Sequence, residues 1–162
     1  MPTNLEHPDP VIRPLTVSYL AYLQSILASR WEITPTQAEE AAQRYIQGVE
    51  GATGFVAKMG DKVIGGCLLD PINQGVNITL GPWITGLWVE PEHRKHGIGQ
   101  RLMLACEAEA CKQGFQQVYL DTIGAEGYHA KHGWKDIGTA KYQDEVVTIM
   151  QKNLLLLVPH EI

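Results

Sequence analysis

The sequence is poor in cysteine and carries no cysteine pattern typical of disulfide bonds or metal sites. Its three cysteines, Cys67, Cys106 and Cys111, are an odd and widely scattered set, which does not make a disulfide framework. The chain has no Cys-x-x-Cys pair and no histidine–cysteine spacing typical of zinc. We therefore expect no metal centre in this protein.

The sequence also lacks a long apolar run. The longest one, 154–158, is far shorter than a membrane-spanning helix requires. The chain begins MPTNLEHPDP, which has neither the basic region nor the apolar stretch of a signal peptide. We expect no membrane association, a cytoplasmic location, and a loose N-terminal tail over 1–10.

The chain has fewer basic than acidic residues. The chain has 13 lysines and arginines against 18 aspartates and glutamates, which gives a net charge of −5 at pH 7. A net-negative chain is a poor general nucleic-acid binder, because such binding depends on neutralising phosphates. This balance favours a cationic partner, or a small ligand bound at a locally basic spot. With 162 residues, 44% of them hydrophobic, the chain has the size and composition of one globular domain.

Hydrophobic periodicity predicts strands and helices in the order β, α, α, β, β, β, α, β, α, β. This order indicates a mixed α/β fold in which helices pack on the faces of a mixed sheet. We expect strands at 11–15, 54–59, 62–69, 77–89 with a break at 81–82, 118–120 and 146 to about 157, and helices at 16–27, 35–47, 97–113 and 125–132.

The segment between the strand ending at Val89 and the helix starting near Gly97 carries the strongest chemical signal. The first N–H groups of a helix have no partner within it and lie at the positive end of its dipole. Arg94, Lys95 and His96 add basic side chains just before this helix. Taken alone, a charged turn is more often solvated surface, but the helix start and its glycines favour a bound phosphate. The segment matches neither a P-loop nor the dinucleotide-binding fingerprint.

The run Arg94-x-x-Gly97-x-Gly99, which follows an apolar strand and Val89-x-Pro91, resembles the acetyl-CoA-binding motif of the GNAT superfamily of N-acetyltransferases. The segments 118–120 and 128–134 are similar to the family's later strand and its Phe-Tyr-x-x-x-Gly-Phe block. The resemblance covers about 11–155. It implies one N-acetyltransferase domain over 1–162, with a twisted mixed sheet whose central parallel strands splay apart and with acetyl-CoA as cosubstrate.

The resemblance also implies which residues bind the cosubstrate. The backbone of the strand end would bind the pantetheine arm, and the turn with the first helical residues would bind the pyrophosphate. By position in the motif, the strand residues are Leu87, Trp88 and Val89, and the turn and helix residues are Arg94, Lys95, His96, Gly97, Ile98, Gly99 and Gln100.

The proton-transfer groups are less well defined. Many family members have a tyrosine, four residues before the glycine of the later block, that protonates the departing CoA thiolate. Here that position is His129, and Tyr128 precedes it. Either residue, or neither, could act as the general acid. For the general base, Glu90, Thr85 through a water, and Asp121 are candidates.

The sequence therefore predicts an enzyme that transfers an acetyl group from acetyl-CoA to a primary amine of a small molecule or protein. No cysteine lies where the resemblance would place an acyl carrier, so we expect direct transfer in a ternary complex. The alternative is a non-catalytic acyl-CoA sensor or partner-binding module, suggested by the replaced tyrosine. The run 154–157 is expected to bury a terminal strand; an exposed version would indicate a homodimer contact.

Overall fold

The described residues of this computed structural model, 9–73, 75–76 and 78–154, form a mixed sheet of seven strands with helices on both faces. The spatial order is β1-β2-β3-β4-β5-β7-β6. The strands are β1 Val11–Pro14, β2 Thr53–Met59, β3 Lys62–Asp70, β4 Trp83–Val89, β5 Gln117–Thr122, β6 Lys135–Tyr142 and β7 Glu145–Asn153. The helices are α1 Leu20–Arg30, α2 Pro35–Gln47, α3 Ile98–Lys112 and α4 Glu126–Lys131.

Helices α1 and α2 cover one face of the sheet. Helix α2 begins at a capping box, in which the Thr34 hydroxyl accepts from the Gln37 N–H at 3.1 Å and the Gln37 side chain accepts from the Thr34 N–H at 2.9 Å. Pro35 fits the first helical position because it has no N–H to leave unpaired. Both helices bury apolar side chains against Leu68 and Trp88 of the sheet.

Helix α3 covers the opposite face and forms the main core. Three of its apolar side chains, Leu102, Cys106 and Ala110, are fully buried. Glu107 is also fully buried, and it forms an ion pair with the Lys152 Nζ of β7 at 2.6 Å. No helix in the part of the chain that the structure describes is long and apolar enough to cross a membrane.

The predicted fold class is confirmed, but the structure adds β6, ends β1 at Pro14, and shortens the strands predicted at 77–89 and 146–157. Strand β6 lacks a buried apolar face, since seven of its eight residues are exposed, so periodicity gave no signal for it. Residues 78–80 are not in a strand, and β7 ends at Asn153. Residues 1–8 of the predicted tail, Asn77, and 155–157 of the predicted last strand lie outside the described residues.

Strands β4 and β5 are parallel neighbours that pair at one position, Trp83 with Tyr119. Gly86 has a positive φ of 63°, a conformation that favours glycine. Thr85 and Trp88 of β4 pair with two residues of β3 that have one residue between them, whereas two residues lie between Thr85 and Trp88. This mismatch is a β-bulge. Such a bulge bends and twists a strand. Past the bulge β4 leaves β5, and the predicted splay of the central parallel strands is present.

Trp88 is held against the sheet by a close backbone approach at Gly66. A Cβ atom on Gly66 would overlap the Trp88 indole ring, so Gly66→Ala must displace a large buried side chain. We expect this substitution to lower the free energy of unfolding by about 1–3 kcal/mol, as overpacking does, measured by urea denaturation. Gly127→Ala is the matched control, since a Cβ there meets nothing within 4 Å, and equal effects of the two would contradict this account.

Candidate functional site

The splay between β4 and β5 creates a crevice at the carboxyl ends of two parallel strands. Helix α3 follows β4 and helix α4 follows β5, so both helices begin at this end of the sheet. In open α/β sheets ligands bind in such crevices, outside the carboxyl ends of the strands. The candidate site therefore includes the end of β4, the start of α3, and the neighbouring end of β5.

The start of α3 presents backbone N–H groups that the protein does not use. Gly97 has a positive φ of 79° and provides no side-chain cap. The first helical hydrogen bond runs from the Arg101 N–H to the Gly97 carbonyl at 3.1 Å. Within the described residues, the N–H groups of Ile98, Gly99 and Gln100 find no acceptor. Three donors and the helix dipole thus point out of the protein together.

The space in front of these donors is open and positively charged. A Cβ atom on Gly97 would meet nothing within 4 Å, and one on Gly99 would meet methyl groups of Val89 and Leu87 at 3.8 Å or more. The basic side chains of the turn, Arg94, Lys95 and His96, are exposed. This combination suits an anion with several oxygens, such as a phosphate or diphosphate.

Arg94 also bends back onto the strand. Its Nε donates to the Val89 carbonyl at 2.9 Å, which fixes the turn between β4 and α3. The Glu90 N–H donates to Ile64 of β3 at 2.7 Å, and successive strand residues direct their peptide groups to opposite edges. The peptide groups of Val89 therefore lie on the edge that faces the splay. The Trp88 side chain packs among α1 and α2.

A cavity of about 700 Å³ lies on the α1–α2 side of the splay. It is bounded by the segment between α1 and α2, by α2 itself, by the end of β3 and the loop after it, by strands β4 and β5, and by the turn between β6 and β7. Aromatic and charged side chains dominate its wall: Trp31, Tyr45, Trp83 and Tyr142, with Glu40, Arg44, Asp70 and Asp121. Its volume is typical of a small-molecule site.

Asp70 is the centre of a buried polar network in this wall. It is 4% exposed and accepts hydrogen bonds from the Arg44 Nη2 at 2.9 Å and the Tyr45 hydroxyl at 2.7 Å. The hydrogen bond to Asp70 raises the pKa of Arg44. Burial, with the Asp70 charge second, raises the pKa of Tyr45. The Arg44 guanidinium thus balances the charge of Asp70, and the pair has a structural role in the wall. No pattern in the sequence indicates this pairing, because the partners of Asp70 lie 25 and 26 residues away in the chain.

Asp121 lies in the same wall at the end of β5. It accepts one hydrogen bond, from the Asn73 Nδ2 at 3.0 Å. No cation pairs with it among the described residues. Thr85 of β4, another candidate from the sequence, lines the cavity with it. Of the three base candidates, these two reach the cavity. No group of side chains in the described ranges has the make-up of a metal site.

Glu90 lies elsewhere. Its carboxylate accepts a hydrogen bond from the Tyr22 hydroxyl at 2.9 Å, and that hydroxyl in turn accepts one from the Trp88 Nε1 at 3.2 Å. Glu90 therefore belongs to a polar chain between α1 and the end of β4, and it does not line the cavity.

His129 and Tyr128 are neighbours on α4 with different environments. His129 is 8% exposed, its Nδ1 is buried without a partner in the described structure, and burial is the main cause that lowers its pKa. Tyr128 is 43% exposed, and partial burial raises the pKa of its phenol. Near neutral pH the imidazole is thus mostly uncharged, whereas the phenol keeps its proton.

A sequence profile of the acetyltransferase (GNAT) family matches residues 20–134 of this chain. Three solved acetyltransferase structures share its fold. An aminoglycoside 6'-N-acetyltransferase complexed with coenzyme A is 19% identical, with a TM-score of 0.71 over 94% of this chain and 99% of that one. A ribosomal-protein-alanine N-acetyltransferase from Brucella melitensis is 17% identical, with a TM-score of 0.70 over 88% and 99%.

The third, an aminoglycoside 6'-N-acetyltransferase from Enterococcus faecium, is 18% identical, with a TM-score of 0.69 over 94% and 99%. At these identities the likeness establishes the fold. No curated protein sequence matches the chain.

The lowered pKa of His129 predicts a pH dependence of stability. In the unfolded chain its imidazole binds a proton near pH 6.5, whereas the folded protein resists that proton until a lower pH. The unfolded state therefore binds more protons as pH falls below about 6.5, and stability declines. We expect His129→Phe to lose less free energy of unfolding than the unchanged protein between pH 7.5 and pH 5.5. Equal losses, measured by urea denaturation, would contradict the prediction.

Proposed function

This chain belongs to the acetyltransferase (GNAT) family, with acetyl-CoA as its cosubstrate, and we propose that it acetylates a primary amine bound in the cavity beside the splay. The acetyl group passes directly from the thioester to the amine while both are bound. Acceptors of this kind are consistent with the names of the similar structures, which are N-acetyltransferases of aminoglycosides and of a ribosomal protein.

One observation supports this proposal: the gap where β4 leaves β5 lies between a turn with free N–H groups, which suits an anion, and a cavity. The turn supplies the free N–H groups of Ile98, Gly99 and Gln100. The cavity is bounded by Thr85 on β4 and Asp121 on β5, the two strands that part. A molecule with a phosphate end and an extended reactive arm can thus span the sheet and reach a second substrate.

The proposed binding of acetyl-CoA follows from this geometry. Its pyrophosphate would accept from the α3 N–H groups, with Lys95 adding charge, His96 beside it, and Arg94 bracing the turn. The amides of its pantetheine arm would pair with the open edge of β4 within Leu87–Val89, where the Val89 N–H faces the splay while the Trp88 peptide groups face β3. An extended arm with amides pairs with an open strand edge as a peptide strand does.

In the proposed reaction, the ammonium first loses a proton, because the amine lone pair is the nucleophile. The nitrogen then attacks the thioester carbonyl carbon and forms the C–N bond. The C–S bond breaks, the sulfur takes its electron pair as thiolate, and the second proton of the nitrogen is lost. The products are the amide, CoA with its thiol protonated, and one released proton.

Two groups suit these proton transfers. Asp121 is favoured as the acceptor of the ammonium proton, because it faces the cavity, whereas Glu90 is bound to Tyr22. Tyr128 is favoured over His129 as the donor to the thiolate, since it keeps its proton near neutral pH and His129 is buried. Both Tyr128 and His129 lie on the helix that follows β5.

A thiol-release assay with acetyl-CoA and a panel of small primary amines tests the proposed function. Release that depends on the amine, with the acetylated amine found by mass spectrometry, would support it. Thermal stabilisation by CoA without turnover on any amine would overturn it in favour of a non-catalytic acyl-CoA sensor. Neither stabilisation nor turnover would reject both functions.

Gly99→Leu is expected to separate cosubstrate binding from folding. The Cβ of the new side chain would make only ordinary contacts with the protein, and we expect its outer atoms to occupy the open space before the α3 N–H groups. We expect the Kd for CoA to rise at least about tenfold, roughly the value of one or two charge-assisted hydrogen bonds, measured by calorimetry. Ala108→Leu, on an exposed position of the same helix, is the control. An unchanged Kd in Gly99→Leu would remove this turn from the site.

Tyr128→Phe is expected to slow the chemical step. Loss of the proton donor should lower kcat by roughly a hundredfold, the lower range for general acids, and leave the Kd for CoA unchanged. His129→Phe serves as the paired variant, because it removes the other candidate from the same helix. A larger loss of kcat in His129→Phe than in Tyr128→Phe would reverse the assignment.

A further inference from the structure

We propose that the acceptor is an amine with a second cationic group, and that Glu40 selects it by binding that second charge. The inference rests on the proposed function and names the substrate class of the same cavity. The supporting observation is that some charged side chains of the cavity wall form ion pairs and others have no partner of opposite charge.

The cavity wall presents more negative charge than it neutralises. Among the described residues of this wall, the one guanidinium, on Arg44, is paired with Asp70 at 2.9 Å and lies 3.6 Å from Glu50. Asp70 also accepts hydrogen bonds from the Tyr45 hydroxyl and the Ile72 N–H, so both of its carboxylate oxygens already have protein partners. The other two carboxylates, Asp121 and Glu40, have no cation partner in the described part of the chain.

Asp121 is held in one orientation by a rigid neutral donor. The Asn73 Oδ1 accepts from the N–H groups of Gly75 and Val76 at 3.0 and 3.2 Å. This assigns the amide orientation, so that the Nδ2 faces the Asp121 Oδ1 at 3.0 Å. The Asn73 amide donates to one carboxylate oxygen of Asp121 but carries no charge, so it does not neutralise the negative charge of that carboxylate. The second oxygen of Asp121 is therefore available to an ammonium group next to the splay.

Glu40 occupies the other wall of the cavity. It lies on α2, is exposed, and contributes to the lining, whereas Asp121 is half-buried on β5. The two carboxylates thus stand on separate elements, one at the sheet and one toward solvent. A single ammonium held at Asp121 leaves Glu40 unpaired, while a molecule with a cation at each end pairs with both.

The accessible aromatic side chains of the cavity suit the same ligand. Trp31 and Tyr142 line the cavity and are partly exposed, and aromatic faces attract organic cations while covering the apolar chain between two of them. A linear diamine or an amino sugar with several ammonium groups has this pattern. A monoamine held at Asp121 would place its apolar tail near the Glu40 carboxylate, and that carboxylate would gain no cationic partner.

The experiment compares diaminobutane with butylamine, and diaminohexane with hexylamine, as acceptors for the full-length protein with acetyl-CoA. We expect the kcat/KM of at least one diamine to exceed that of its monoamine by tenfold or more. Glu40→Gln should raise the KM of that diamine about fivefold, which is the upper range for a partly exposed ion pair, and leave its kcat and the monoamine KM unchanged.

Glu39→Gln is the matched control. It removes the same charge from the next position of α2, but Glu39 does not line this cavity. Equal effects of the two variants, or equal kcat/KM for each diamine and its monoamine, would overturn the inference while amine acetylation itself would stand. Failure to acetylate any amine would overturn the proposed function, and the inference with it.

Discussion

The site depends on one backbone constraint: the parallel pairing of β4 and β5 ends almost where it begins. The strands pair at Trp83 and Tyr119, and the bulge at Gly86 then turns β4 away. Had the ladder continued, the peptide groups at the end of β4 would have been used by β5. The crevice above the carboxyl ends would also have been closed by paired strands. The loss of a few sheet hydrogen bonds is thus what makes backbone groups available to a ligand.

Side-chain packing around the gap between β4 and β5 compensates for the lost strand pairing. At the one paired position, the rings of Trp83 and Tyr119 contact each other in a tilted arrangement with centroids 5.6 Å apart, and the Trp83 Nε1 donates to the Leu80 carbonyl at 2.6 Å. Beyond the bulge, Trp88 packs against Gly66 on one face while α3 covers the other. Side chains of both diverging strands therefore remain in the same hydrophobic core. Because interiors pack densely and resist small displacements, the gap is a fixed feature of the native state.

The sequence predicted what local patterns encode and missed what distant residues build. The helix starts near Pro35 and Gly97 follow from neighbours a few positions apart, and the splay followed from the resemblance. The polar pairs of the cavity join residues far apart in the chain: 26 positions for Arg44 with Asp70, and 48 for Asn73 with Asp121. A propensity or a motif holds no information on such pairs. Strand β6 was missed for another reason, since an edge strand exposed on both faces has no alternating pattern to detect.

Charge separation links the two sides of the site. The chain is acidic overall, at −5, yet Arg94, Lys95 and His96 form a basic turn before α3, and unpaired carboxylates remain in the cavity. In the proposed reaction one substrate is a polyanion and the other a cation. Each would be attracted to its own side and repelled from the other, because clefts lined by one sign of charge concentrate the opposite one. The two substrates would then meet only at the gap between β4 and β5, so the same divergence that frees the backbone also sets where the acetyl group is exchanged.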